Sequence, residues 1–471
     1  MRMRNDLLAG GLARFDRLLG RLLLLACAWL PRPVEAQSLI KGVDEWAEAT
    51  TKSAAPKWAG PRVVFPTPQP RPASIGRLTS LLWPLDVHLA AGVPLARGQA
   101  VLEAGEEALA ILATTGWLGN FGDGGMGGTG GYDLYVTPQA SHGADAFLDA
   151  TEPMWGLDGA RAFGVVDARV PSDRIAACTT QTLAETLLYQ LDPAESASAR
   201  QSTGAYLSWL VTGDLGCDDE ENGRRADPRL AALGPDAGGR GAEWLVQLGH
   251  RQDQNRGHFM RDMWQFARQR TWEGTGLRAS PDLFEVIAAA LGNEDEQLEN
   301  VASELADQQA LTWLDDPPPQ PALNKKGIRK VAPPPWTALK WSTLPARLPW
   351  VDGVQPLGGQ YALIDIDQPL AGGERLRVWS HGEFGTRWAL SLLALDGERQ
   401  VIGRITAPPR KNPNSFATLE LMPNTRQVLI AVTNVADGIP DADDGAPFEQ
   451  FGVALTIDRG GDGAMSDALL P

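Results

Sequence analysis

The chain has 471 residues, 43% of them hydrophobic and 21% charged, a balance that fits a folded protein of two or three cores and excludes a disordered one. Its formal net charge of −16 argues against nucleic acid or an anionic membrane as partner, since both need basic patches. The 35 Pro and 51 Gly point to many loops and at least one linker.

Residues 1–36 read as a secretory signal. Arg2, Arg4, Arg14, Arg17 and Arg21 form the basic start, and Leu22–Leu30 is an apolar run too short to span a bilayer. Pro31 and Pro33 break it, and Val34-Glu35-Ala36 ends on a small residue. Leu24-Leu25-Ala26-Cys27 weakly matches a lipobox, which would make the chain a lipoprotein anchored at Cys27. The expected address is secreted, periplasmic or cell-surface, and no later apolar run is long enough for a transmembrane segment in the mature chain. Cleavage would remove six Arg and three acids, leaving the mature chain still more acidic. Of three cysteines, Cys178 and Cys217 remain after cleavage, which predicts a disulfide in an oxidising compartment; the alternative is two buried thiols.

Residues 37–72 form a Pro-rich arm, and residues 73–314 a mainly helical α+β domain. Leu78–Leu89 is broken by Pro84 and fits helix or strand, whereas Gly98–Thr115 has helical periodicity. Gly125, Gly127 and Gly130 match a G-x-G-x-x-G pattern, but no strand precedes them and no helix follows, so a dinucleotide site is excluded. They predict a loop with left-handed positions leading into a strand at Tyr132–Val136. Asp123 and Asp133 in this stretch are candidate Ca²⁺ ligands, against the plainer reading of a turn and a strand-edge carboxylate. Ala162–Val170 is a second strand.

Two helix signals follow back to back. Thr179–Leu191 carries Leu183, Leu187, Leu188 and Leu191 on an apolar side. Asp192-Pro193-Ala194-Glu195 reads as a capping box opening a second helix that runs to Thr212 and stops at Gly213. A tight turn makes the helices antiparallel, which brings Cys178 and Cys217 to the same open end, where a bridge would contribute roughly 3–4 kcal/mol. Further helices are expected at Glu243–Leu248, Phe259–Arg268, Ser280–Leu291 (Ser280 as cap, Pro281 first) and Glu294–Leu314. Residues 315–335 are a Pro-rich linker, residues 336–460 a β-sandwich of about seven short strands, and residues 461–471 a tail.

A zincin needs two His one turn apart on a helix, with Glu beside the first as general base. The five His are His88, His142, His250, His258 and His381, and no two are spaced so. His250 and His258, with Asp253 and Asp262, are candidate metal ligands against a surface-loop reading. Trp244, Trp264, Phe266 and Trp272 fit core or cleft lining better than a ligand box, and 16 Trp beside 5 Tyr leave carbohydrate stacking as an option.

The DGG-x-GG-x-G loop before Tyr132-Asp133-Leu134-Tyr135-Val136, the central helix pair, and the phrases VLIAVTNVADG and FGVALTIDR resemble secreted bacterial zincin-type metalloproteases with a C-terminal β-sandwich. The resemblance spans about residues 75–460. It implies an HExxH helix at Ala184-Glu185-Thr186-Leu187-Leu188 and a third-ligand motif at Trp209-Leu210-Val211-Thr212-Gly213. Ala184 and Leu188 then hold the histidine positions, Thr212 the carboxylate position, and only Glu185, at the general-base position, is kept. Glu185 is expected to be salt-bridged or solvated, with a raised pKa if buried in a relic cleft. The implied function is a catalytically degenerate metalloprotease-like protein that binds a protein or a cell-envelope component, with Zn²⁺ not expected. Two alternatives stand beside it: an active hydrolase using His250, His258 and Glu185, and an adhesion or structural protein with Ca²⁺ in the Gly-rich loop.

Overall fold

Short runs of β-branched and aromatic residues build a five-stranded mixed sheet in the first half of the chain, with strands β1 (Gly76–Thr79), β2 (Leu85–Leu89), β3 (Tyr132–Thr137), β4 (Ala144–Ala150) and β5 (Arg161–Asp167). The computed structural model describes residues 67–117, 125–128, 130–138, 144–150, 159–217, 228–231, 233–234, 238–268, 281–293, 297–315, 336–407, 409, 414–438 and 448–460. The signal-like segment, Cys27, Asp123, His142, Trp272, the 316–335 linker and the tail lie outside them.

The strand order is β1-β2-β3-β5-β4. Strands β2, β3 and β5 are parallel, and β1 and β4 pair antiparallel at the two edges. Helix α1 (Leu95–Thr114) supplies the long crossover that parallel β2 and β3 require. One sheet face, with Leu85, Val87, Leu134, Val136 and Val166, packs on Val101, Leu109 and Leu183 of the covering helices. A central parallel strand is buried on both faces, so the alternation in β3 marks two buried sides. The glycines before β3 answer close approaches. A Cβ at Gly131 would meet the Pro84 carbonyl oxygen at 2.4 Å, and Gly125 and Gly128 take φ of 88° and 100°.

Helices α2 (Ile175–Leu191) and α3 (Ala197–Thr212) form the antiparallel pair. Two details differ from the sequence reading. First, α2 starts four residues earlier, so Cys178 sits within its first turn. Second, the capping box at Asp192 does not form. Asp192 accepts from the backbone N–H of Ala194 and Glu195, which closes the turn after α2, while Ser196 caps α3 by accepting from Ala199 N. The Glu195 carboxylate instead accepts from Ser196 N and from Leu283 N, 88 residues away. Gly213 ends α3 with φ 84°, as its position predicts.

Helices α4 (Ala242–Asp253), α5 (His258–Ala267), α6 (Leu283–Ala290) and α7 (Leu298–Asp315) complete the helical part. Asp282, two residues beyond the expected Ser280, caps α6 in a full capping box with Glu285.

The C-terminal half is β-rich. Nine strands among the described residues form two sheets: β6 (Trp336–Lys340), β7 (Ala346–Val354), β8 (Gly359–Asp365), β9 (Arg375–Gly382), β10 (Trp388–Leu395), β11 (Val401–Ala407), β12 (Asn414–Glu420), β13 (Gln427–Asn434) and β14 (Phe451–Gly460). The orders are β11-β10-β13-β8-β6 and β12-β9-β14-β7. The sheets share a sandwich-like core of Val378, Leu390, Leu392, Ile430, Val432 and Ile457. Strands β6 and β7 raise the number above the seven or so expected, and both are edge strands, where Pro349 of β7 is tolerated. The two halves touch. Gln355 N donates to Arg229 O, and Asp307 on α7 accepts from Ser391 Oγ on β10 at 2.7 Å. Among the described residues no helix is long and apolar enough to cross a membrane.

Candidate functional site

The α2–α3 pair is stapled by a Cys178–Cys217 disulfide with a Cα–Cα distance of 4.3 Å. Gln181 links the staple to Glu185: its Oε1 accepts from Cys217 N at 2.7 Å, and its Nε2 donates to Glu185 Oε1 at 2.8 Å. Glu185 is 6% exposed, so it is neither solvated nor at the mouth of an open cleft. It is accommodated because α3 carries Gly204 opposite it.

Ala184 and Leu188, one helical turn apart, are both 0% exposed. They belong to the large apolar core with Trp117, Tyr206, Leu207 and Trp264. Thr212 Oγ1 donates to Ser208 O at 2.8 Å, as helical Thr commonly does, and accepts from Asp214 N. An alanine methyl and a leucine isobutyl group have no lone pair to offer, and the Thr212 hydroxyl is already used. These three side chains do not fit a Zn²⁺ ion.

A second polar assembly occupies the other face of the N-terminal sheet. Asp133, 0% exposed, meets His88 Nε2 at 2.7 Å through one oxygen and Arg71 at 2.5 Å through the other. His88 stacks on Tyr135 with ring centroids 4.5 Å apart. Arg71 reaches in from the Pro-rich arm and also donates to Asp149 through Nε at 3.0 Å and Nη2 at 2.6 Å. Burial works against the Arg71 charge, but the hydrogen bonds to Asp149 and Asp133 outweigh it and hold the pKa above the ordinary value. Burial pushes the Tyr135 hydroxyl up, with Arg71 opposing. Asp133, a candidate Ca²⁺ ligand by sequence, thus already faces a guanidinium; its proposed companion Asp123 lies outside the described residues.

Beside this assembly is a cavity of about 450 Å³ lined by Gln69, Pro70, Asp145, Phe147, Phe163 and Val165. It opens past Ala90 and Thr137, at the carboxyl ends of β2 and β3, where open parallel sheets hold ligands. No sequence signal marks Arg71 as part of it: a single Arg in a Pro-rich run has no period to read.

His250 lies in the last turn of α4 and His258 opens α5, both exposed. Asp253 between them accepts from Arg256 N and Phe259 N, which shapes the turn. Among the described residues no group of three or more His, Cys, Asp or Glu is placed to hold a metal ion. Trp244 and Trp264 are core residues, and Trp264 Nε1 donates to Thr203 Oγ1.

No family model matches the chain. No curated protein matches it either. Solved structures similar to parts of it include a glycosylation-associated protein complex from Streptococcus agalactiae, 12% identical over 19% of this chain and 25% of that one, with a TM-score of 0.13. Endo-1,4-β-D-xylanase modules from Clostridium thermocellum are 17% identical over 24% of this chain and 22% of that one, at 0.16. A periplasmic inhibitor of g-type lysozyme from Aeromonas hydrophila is 14% identical over 26% of this chain and 97% of that one, at 0.15. The chain thus spans about a quarter of the length of the first two. Likenesses of this degree carry no argument about fold or activity.

Proposed function

We propose that this is a secreted, catalytically degenerate metalloprotease-like protein that works by binding, its partner a protein or a component of the cell envelope. The observation that carries the reading is the burial of Ala184 and Leu188. They hold the two positions where a zincin would aim imidazoles at its metal, and both are wholly enclosed by apolar side chains. Glu185 between them has Gln181 as a hydrogen-bond partner and α3 packed over it. A carboxylate so placed has no metal-bound water to deprotonate. The hydrolase alternative requires His250 and His258 to converge on Glu185, yet both imidazoles are on the surface and Glu185 is in the interior. The Ca²⁺ alternative requires Asp133 to give up Arg71.

The test is a peptide-hydrolysis assay on the mature protein, with and without a chelator and with Glu185→Gln in parallel. No cleavage distinguishing these samples is expected. Cleavage abolished both by chelator and by Glu185→Gln would overturn the reading.

A further inference from the structure

The outer face of the β12-β9-β14-β7 sheet departs from what a solvated strand surface requires. Along β9, Leu376, Val378 and Ser380 point into the sandwich core, so Arg377, Trp379 and His381 face outward. Pairing registers place Phe416 beside Trp379, Trp379 beside Thr456, and Thr456 beside Arg347, a single row across all four strands. The row on one side is Asn414, His381 and Ala454, and the row on the other is Thr418, Arg377 and Asp458. At strand spacing the first row is about 14 Å long.

Two aromatic rings on this face meet each other instead of a core. Trp379 and Phe416 have centroids 4.9 Å apart and planes tilted by 35°, and Phe416 is 47% exposed. Phe384, in the turn after β9, is 82% exposed. The groups around the rings are hydrogen-bonding ones. His381 Nε2 lies 3.1 Å from Thr456 Oγ1, Asn414 is exposed at the end of β12, and Arg347 is exposed on β7. Burial, and then the nearby Arg347 charge, hold the His381 pKa below its ordinary value, with a side-chain hydrogen bond to Asn414 opposing. The carboxylate in these three rows, Asp458, stands beside Arg377.

We infer that this face binds a neutral polysaccharide chain, with one sugar ring stacked on Trp379 and Phe416 and hydroxyls of that ring or its neighbours meeting His381, Asn414 and Arg347. A sugar ring offers C–H groups on its face and hydroxyls on its edge, and the aromatic pair with flanking planar donors and acceptors matches both. An aromatic pair flanked by hydrogen-bonding side chains on a flat sheet face fits a ring with an apolar face and a polar edge; a protein partner is an outcome the experiment separates, since it would give no retardation by polysaccharide. A polyanion is disfavoured by the chain's net charge of −16. The inference goes beyond the binding reading above and does not rest on the peptidase-like half, since the face lies wholly in the C-terminal sheets.

The experiment is affinity electrophoresis of the full mature chain in gels containing a soluble β-glucan, a xylan, a galactan or polygalacturonate. Retardation by at least one neutral polymer is expected, weakened tenfold or more in Trp379→Ala and in Phe416→Ala. Melting temperatures are measured for each variant; if Trp379→Ala unfolds, Phe416→Ala and Asn414→Ala, at exposed positions, carry the comparison. No retardation by any neutral polymer, retardation by polygalacturonate alone, or neutral-polymer binding untouched by the folded variants would overturn the inference. Peptide hydrolysis is not part of the readout, so failure here and failure of the degenerate-peptidase reading are separate results.

Discussion

Gly204 on α3 stands so close to Glu185 on α2 that a Cβ added there would lie 2.6 Å from Glu185 Cγ and 3.0 Å from its Oε1. The helix pair therefore closes directly over the carboxylate. Gly204→Ala should cost about 1–3 kcal/mol by overpacking, because the first atom it meets is mid-chain and not the free end of a flexible group. Glu185→Ala in the same chain should return most of that loss. Urea denaturation of the two single variants and the double gives the coupling; strictly additive effects would show that the two residues do not share this space.

The disulfide closes a loop with a sequence separation of 39. On the chain-entropy estimate its removal costs about 4 kcal/mol. Cys178→Ala with Cys217→Ala should lower the melting temperature markedly, and reduction of the wild-type chain should do the same. The bridge fixes the end of α3 against α2, so hydrogen exchange should accelerate first near Gly213–Cys217.

Arg71 ties the Pro-rich arm to the buried carboxylates Asp133 and Asp149, whose side chains are 0% and 5% exposed. Removing it leaves two buried negative charges without their guanidinium. Arg71→Ala should destabilise by about 3–5 kcal/mol. Arg71→Lys should recover only part, since one ammonium cannot reproduce a fork that reaches Asp133, Asp149 and Tyr135 together.

Asp307, on α7 beneath the sandwich, gives a pH signature. Burial raises its carboxyl pKa from 3.8 to about 6, with Ser391 and Arg404 opposing, and its buried Oδ1 has no hydrogen-bond partner among the described residues. An acid with a raised folded pKa binds its proton more firmly in the folded state. Its stabilising contribution is therefore complete below 3.8 and is lost as pH rises to about 6. The loss should amount to about 3 kcal/mol or less. Denaturation midpoints of the wild-type chain should fall between pH 4 and pH 6.5 relative to those of Asp307→Asn, which keeps an acceptor for Ser391 Oγ. Parallel curves would contradict the assignment.

The elements that the sequence reveals are those whose signals are local. Leu183, Leu187, Leu188 and Leu191 at helical spacing mark α2, Gly213 marks the end of α3, and an even pair of cysteines marks the staple. Asp192 misleads because an Asp can close a short turn just ahead of it as readily as cap a helix, and the competitor that won, Ser196, stands only four residues on. Glu195 is claimed by Leu283 N through a contact that no local pattern encodes. Strand β7 is hidden by Pro349, which only an edge position excuses. The burial of Asp133 follows from a sheet with parallel neighbours on both sides of β3, which Tyr132–Val136 alone does not disclose. The row Phe416–Trp379–Thr456–Arg347 spans residues from 347 to 456 and exists only once four strands are in register.

The most direct measurement is the metal content of the purified protein, by elemental mass spectrometry after dialysis against buffer containing added Zn²⁺. On the reading proposed above, Ala184, Leu188 and Thr212 hold the three ligand positions, so zinc should stay far below one atom per chain, and Glu185→Gln should not change it. One tightly held zinc per chain, lost in Glu185→Gln or in the pair His250→Ala and His258→Ala, would contradict a binding protein without zinc chemistry.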